Sequence, residues 1–171
     1  MEQVIVSEYD PQWANEFVLE KAKIMNALGE LLLGIEHIGS TSVPGLGAKP
    51  IIDIMVGINE LDELNQPHMT DLARIGYQFI NHANFPERRF FRRGEWRAGT
   101  HHLHIYQYKG DNWNENLLFR NYLINHPEAL TEYIKLKKDL EKRYKNDRVK
   151  YTEAKGPFIR KIIEQAIMEN K

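Results

Sequence analysis

One aspartate stands in a run of residues that has little use for a charge. Asp53 is surrounded by Ile51, Ile52, Ile54 and Val56, and a carboxylate in so apolar a strand is costly unless it is hydrogen-bonded, ion-paired or metal-bound. Upstream of it, Gly39, Ser40, Thr41 and Lys49 lie in a loop rich in glycine, hydroxyls and proline. Glycine lets backbone N–H groups approach an anion closely, the hydroxyls add donors and Lys49 adds positive charge, so this loop can cradle a phosphate. Farther on, THHLHIYQY alternates, which puts His102, His104 and Tyr106 on one face of a strand and Leu103, Ile105 and Gln107 on the other. Two histidines two residues apart on a strand can reach one site as metal ligands, phosphate donors or acid/base groups. His101 is expected to point the other way.

A third group occupies residues 82–100, where Arg88, Arg89, Arg92, Arg93 and Arg97 are interleaved with Phe90, Phe91 and Trp96. Guanidinium forks suit phosphate and aromatic rings can stack on a base. The plainer alternative is a hairpin with arginines in water and aromatics in the core. Arg92 and Arg93 are the residues here expected to meet phosphate.

These groups need elements to hold them. Apolar runs at residues 35–38 and 51–56 flank the loop and read as two strands. Before them, residues 4–6 suggest a short edge strand. Asp10 followed by Pro11 marks a helix start, and Trp13, Phe17, Ile24, Leu28 and Leu31 carry the helical stripe to about residue 33. Trp13 and Phe17 are expected in the core. Residues 60–75 read as a surface helix broken or restarted at Pro67, with Gly76 as its stop and a strand at 77–80. From Asn112 onward the pattern is helical: one helix through Leu123, a second from Pro127, and a last over residues 151–166. The lysines at 135, 137 and 138 are expected on a solvated face. The whole reads as an α/β (α+β) domain, a small mixed sheet with packed helices and a helical C-terminal part.

Composition narrows the classes of partner. A chain of 171 residues, 42% hydrophobic and 27% charged, suits a single globular domain spanning residues 1–171. Its net charge of −1 supplies no bulk field toward nucleic acid or an acidic membrane, so any polyanion site must be local. The absence of cysteine excludes disulfides, thiolate metal sites and cysteine nucleophiles, and fits a cytosolic setting. No basic region with a following apolar run opens the chain and no apolar stretch reaches membrane length. A cytoplasmic protein without processing is therefore expected.

The order strand, Gly39-Ser40, loop, then Asp53 in an apolar strand resembles the signature of the polymerase-β-like nucleotidyltransferases. The longer string GSTSVPGLGAKPIIDIMV resembles one family among them, the GrpB-like proteins, and so do YDPQWANEF, HHLHIY, LLFRNYL, HPEA and YTEAKGPFI. The resemblance covers nearly the whole chain. It implies a nucleotidyltransferase-like fold and a nucleotide or phosphorylated metabolite bound at the Gly39-Ser40 turn. It also implies Mg²⁺ or Mn²⁺ held by carboxylates of which Asp53 is the first. The second acid of that pattern falls on Met55, and a thioether does not replace a carboxylate on Mg²⁺. Glu36, Glu95 and Glu153 are the candidate substitute acids from elsewhere in the chain, and His102 and His104 can compensate by binding a transition metal or phosphate. Two functions follow: nucleotidyl transfer with an acceptor still to be identified, or a non-catalytic binding module. Members of the resembled family joined to an enzyme of coenzyme A synthesis connect the module to that pathway. A histidine-triad hydrolase is disfavoured because Tyr106 stands where a further histidine would be required.

Overall fold

The computed structural model describes residues 4–81, 84–95 and 98–170. Trp96, Arg97 and the side chain of Glu95 therefore lie outside the described residues. At the centre is a five-stranded sheet in the order β1-β2-β5-β4-β3. The strands are β1 (Gly34–Ile38), β2 (Ile52–Ile58), β3 (Tyr77–Ile80), β4 (Arg89–Glu95) and β5 (Ala98–Gln107). β2 and β5 run parallel and every other neighbouring pair is antiparallel, so the sheet is mixed. Among the described residues, five α-helices pack around it: α1 (Gln12–Leu28), α2 (Gln66–Arg74), α3 (Asp111–Asn125), α4 (Pro127–Arg143) and α5 (Arg148–Glu169).

The period of two sorts the strands cleanly. Ile52, Ile54, Val56 and Ile58 of β2, with Leu103 and Ile105 of β5 and Phe91 of β4, face α1 and α2. There they join Trp13, Ile24, Leu28 and Leu72 in the main core. The opposite face carries Ile38, Met55 and Tyr106, covered by Trp113 of α3 and flanked by Leu117. α4 and α5 close on each other and on Val43 and Leu46 of the loop between β1 and β2, around Tyr133, Leu123 and Ile162. That packing ties the C-terminal helices to the loop that carries Gly39 and Ser40.

Several element ends differ from expectation for identifiable reasons. Residues 4–6 form no strand; the segment is held by one isolated bridge, Ser7 to Ala48, and by the Val4 amide donating to the Lys145 carbonyl at 2.8 Å. α1 stops at Gly29, whose φ of +56° is left-handed, and one 3-10 turn over Gly29–Leu31 replaces the last expected helical turn. The stretch after Glu60 is a 3-10 turn followed by α2, and Pro67 lies in the first turn of α2, where its missing N–H costs nothing. No helix among the described residues is long and apolar enough to cross a membrane.

Candidate functional site

β1 ends at Ile38, opposite Asp53 in the antiparallel register. The chain then turns sharply at Gly39, with φ +74°, into a 3-10 turn over Ser40–Ser42. A Cβ on Gly39 would lie 2.6 Å from Asp53 Oδ2, so only glycine lets this turn run against the carboxylate. The turn is anchored from within: Thr41, 2% exposed, accepts a hydrogen bond from His37 Nε2 at 2.9 Å and donates to the Ile51 carbonyl at 3.4 Å. His37 in turn stacks on Phe17 of α1, ring centroids 4.9 Å apart. Burial pushes the His37 imidazole down to about 4, Asp53 acting upward and Arg120 downward.

Asp53 pairs across β2 and β5 with His102, and Met55 pairs with His104, so both imidazoles stand on the Asp53 face. His104 Nε2 lies 2.9 Å and His102 Nδ1 3.5 Å from Asp53 Oδ1. Burial alone would push the Asp53 carboxyl up. Hydrogen bonds from His102 and His104, with the electrostatic attraction of the two rings, more than reverse this and hold it well below the usual carboxylate range. The carboxylate is not sealed off: its side chain is 27% exposed.

Asp53 and Ser40 line two adjoining cavities. One, of about 300 Å³, is lined by Ser40, Thr41, Lys49, Asp53 and His102 from the sheet and the loop before β2, and by Lys137, Arg148 and Lys155 from α4 and α5. The other, of about 430 Å³, lies between Gly39, Ser40 and Asp53 and the side chains of Asn112, Glu115, Asn116, Phe119 and Arg160. Lys155 borders both. Lys137 is the most deeply set of the cations, 4% exposed, with Nζ donating to Ser40 Oγ at 2.9 Å and to the Gly47 carbonyl at 2.7 Å. Desolvation, aided by the like charge of Lys155, brings its ammonium down to about 7. Lys155 is lowered by burial as well; Asp53 opposes that, and Lys49 and Arg148 reinforce it. Four cations around one small cavity form a site that an anionic ligand would relieve.

The GrpB protein family model matches residues 3–165. The chain belongs to the GrpB family. A glutamate-rich protein GrpB of Alkalihalophilus pseudofirmus is 34% identical over 166 residues, covering 95% of each chain. The crystal structure of conserved protein GrpB from Enterococcus faecalis is 39% identical, superposes with a TM-score of 0.87, and covers 97% of this chain and 99% of that one. A dephospho-CoA kinase of Mycolicibacterium paratuberculosis is 27% identical over 92% of this chain, which spans 44% of that larger protein. Cid1 poly(U) polymerase is a remote likeness at 11% identity and a TM-score of 0.49, over 87% of this chain and 49% of that one.

The GrpB chain brings together most of the residues singled out from its sequence. Gly39, Ser40, Asp53, His102, His104 and Lys49 converge; Thr41 supports the turn from inside and forms part of the cavity wall. Arg92 pairs with His102 in the β4–β5 register and shares the face of the site. Arg93 does not, because it pairs with His101 and points to the other face. There its NH1 lies 2.7 Å from Glu20 of α1, which also accepts from the Tyr77 hydroxyl at 2.9 Å. Of the substitute acids, Glu36 is engaged by Arg120 at 2.8 Å and Glu153 is exposed on α5. Lys137 is a correction: it does not lie on a solvated face. Tyr133, Lys137 and Leu140 recur at helical spacing on the buried side of α4, so the lysine occupies a core position. That stripe was the signal available in the sequence. Lys155 was visible only as part of a family-like string, and Glu115 carried no signal.

The same geometry bears on metal binding. Asp53, His102 and His104 offer one ligand atom each within 4.8 Å of one another. Met55 is wholly buried among Ile38, Tyr106 and Trp113, so the acid pair that holds two Mg²⁺ ions is not formed at these positions. A single ion, not a two-metal pair, is what Asp53, His102 and His104 could hold among the described residues.

Proposed function

We propose that this GrpB chain binds a nucleotide or a related phosphorylated metabolite, with its phosphates between the Gly39-Ser40 turn and the Lys49, Lys137, Arg148 and Lys155 wall. The observation that carries the reading is the convergence of those four cations and Asp53 on one cavity beside a glycine turn that no side chain could enter. Lysines neutralise phosphate as point charges, and Lys137 already has two of its three protons committed, leaving one for a ligand oxygen.

The finer reading is transfer of a nucleotidyl group to an acceptor hydroxyl. A divalent ion, Mg²⁺ or Mn²⁺, would polarise the α-phosphate when bound. In this reading Asp53 stays anionic and holds that end of the site, and His102, which borders the cavity, takes the acceptor's proton. Isothermal titration of ATP with and without Mn²⁺ tests both levels. Binding that tightens with Mn²⁺ in the wild type and loses that dependence in Asp53→Asn supports transfer chemistry. No binding at millimolar ATP contradicts the proposal.

Met55 supports a second reading. With its thioether sealed in the apolar cluster, the chain suits a module that keeps the phosphate cavity without a two-metal centre. The dephospho-CoA kinase relative makes coenzyme A metabolism a setting for such a module. Metal-independent binding of equal strength in wild type and Asp53→Asn would favour it.

A further inference from the structure

The two histidines are alike in sequence and unlike in surroundings. His104 is held on both nitrogens: Nε2 lies 2.9 Å from Asp53 Oδ1, and Nδ1 lies 3.3 Å from Arg88 NH1. A guanidinium can only donate and an ionised carboxylate can only accept. An imidazole between them has one arrangement, Nδ1 bare toward Arg88 and Nε2–H donated to Asp53. Arg88 is itself fixed: its guanidinium carbon stands 4.7 Å from the ring centroids of both Phe85 and Phe90, and it hydrogen-bonds the Tyr106 side chain. His102 touches Asp53 only loosely, at 3.5 Å, and unlike His104 it borders the cavity of the four cations.

We propose that Arg88 is a positioning residue that divides the work of the histidine pair. By occupying Nδ1 of His104 it fixes that ring as a donor to Asp53, and leaves His102 as the histidine that meets a ligand. The arrangement also bars His104 from an ion beside Asp53. A metal-bound histidine turns its bare nitrogen to the ion and gives its N–H to an acceptor. Here the bare nitrogen faces a cation and the N–H faces the carboxylate. The proposal rests on Asp53 being the ligand-facing carboxylate, but its first test needs no nucleotide.

That test is a long-range ¹H–¹⁵N correlation spectrum of the imidazoles in the full ¹⁵N-labelled chain, with His104 assigned through His104→Gln. The expected result is a single Nε2–H form of His104 in the wild type and in Asp53→Asn, where the carboxamide can donate or accept and Arg88 alone fixes the ring, relaxing to a mixture of both tautomers in the Asp53→Asn/Arg88→Met double variant. An Nδ1–H or doubly protonated His104 in the wild type, or an unchanged tautomer in the double variant, overturns the proposal. Should the double variant fail to fold, Zn²⁺ added to the wild type decides. His104 is expected to keep its Nε2 proton, and loss of that proton with a metal-ligand shift makes His104 a ligand and overturns the assignment. Failure of ATP to bind would sink the functional reading while leaving this tautomer result intact, so the two fail separately.

Discussion

Asp53 tolerates its apolar strand because two imidazoles meet it, and its charge can be removed without removing its shape. Asp53→Asn is expected to leave the fold intact and to abolish any strengthening of ATP binding by Mn²⁺, read by isothermal titration. Lys137 belongs to the same scale. A hydrogen bond from a charged donor contributes about 1.5–3 kcal/mol, so Lys137→Met should weaken phosphate binding roughly ten- to hundredfold. The same change should raise thermal stability at neutral pH, since it removes a charge that burial penalises. Because the free ammonium is lowered to about 7, a bound phosphate must restore its proton above that pH. Affinity is therefore expected to fall as pH rises from 6 to 9, with proton uptake visible as a dependence of the binding enthalpy on the buffer.

At the scale of elements, the turn between β1 and β2 controls the site. Gly39→Ala would drive a methyl into Asp53 and strain a residue at φ +74°, at a cost of about 1–3 kcal/mol for the backbone alone. A lowered melting temperature together with lost ATP binding is the expected readout. His37 couples that turn to α1 and gives the fold an acid limit. Its folded value near 4 lies below the ordinary 6.5. The unfolded chain therefore binds a proton that the folded ring refuses, and stability is full above 6.5 and falls as pH drops from 6.5 to 4. His101, also lowered by burial, acts in the same direction. His37→Gln should flatten that part of a urea-denaturation profile. What the sequence could disclose at this scale depended on periodicity. The alternation in THHLHIYQY placed His102 and His104 on one face correctly. Arg92 and Arg93 could not be told apart, because they face opposite sides and which side each takes depends on the register of β4 on β5, which shifts between Arg93 and Gly94.

Across the whole molecule, the cavity exists only where sheet and C-terminal helices meet. The sheet and its turn bring Ser40, Asp53 and His102; α4 brings Lys137, and α5 brings Arg148 and Lys155. The strand half of the site was therefore legible from local spacing and the helix half was not. Lys137 and Ser40 are 97 residues apart in sequence, and no period links them. A net charge of −1 also concealed a cluster of four cations, since a sum over the whole chain says nothing of where its charges gather. The most direct test of the central claim is a crystal structure of the chain soaked with ATP and Mn²⁺. Phosphate density within hydrogen-bonding reach of Ser40 and Lys137, with an ion on Asp53 that His104 does not touch, is the predicted result. Phosphates bound away from this cavity would contradict it.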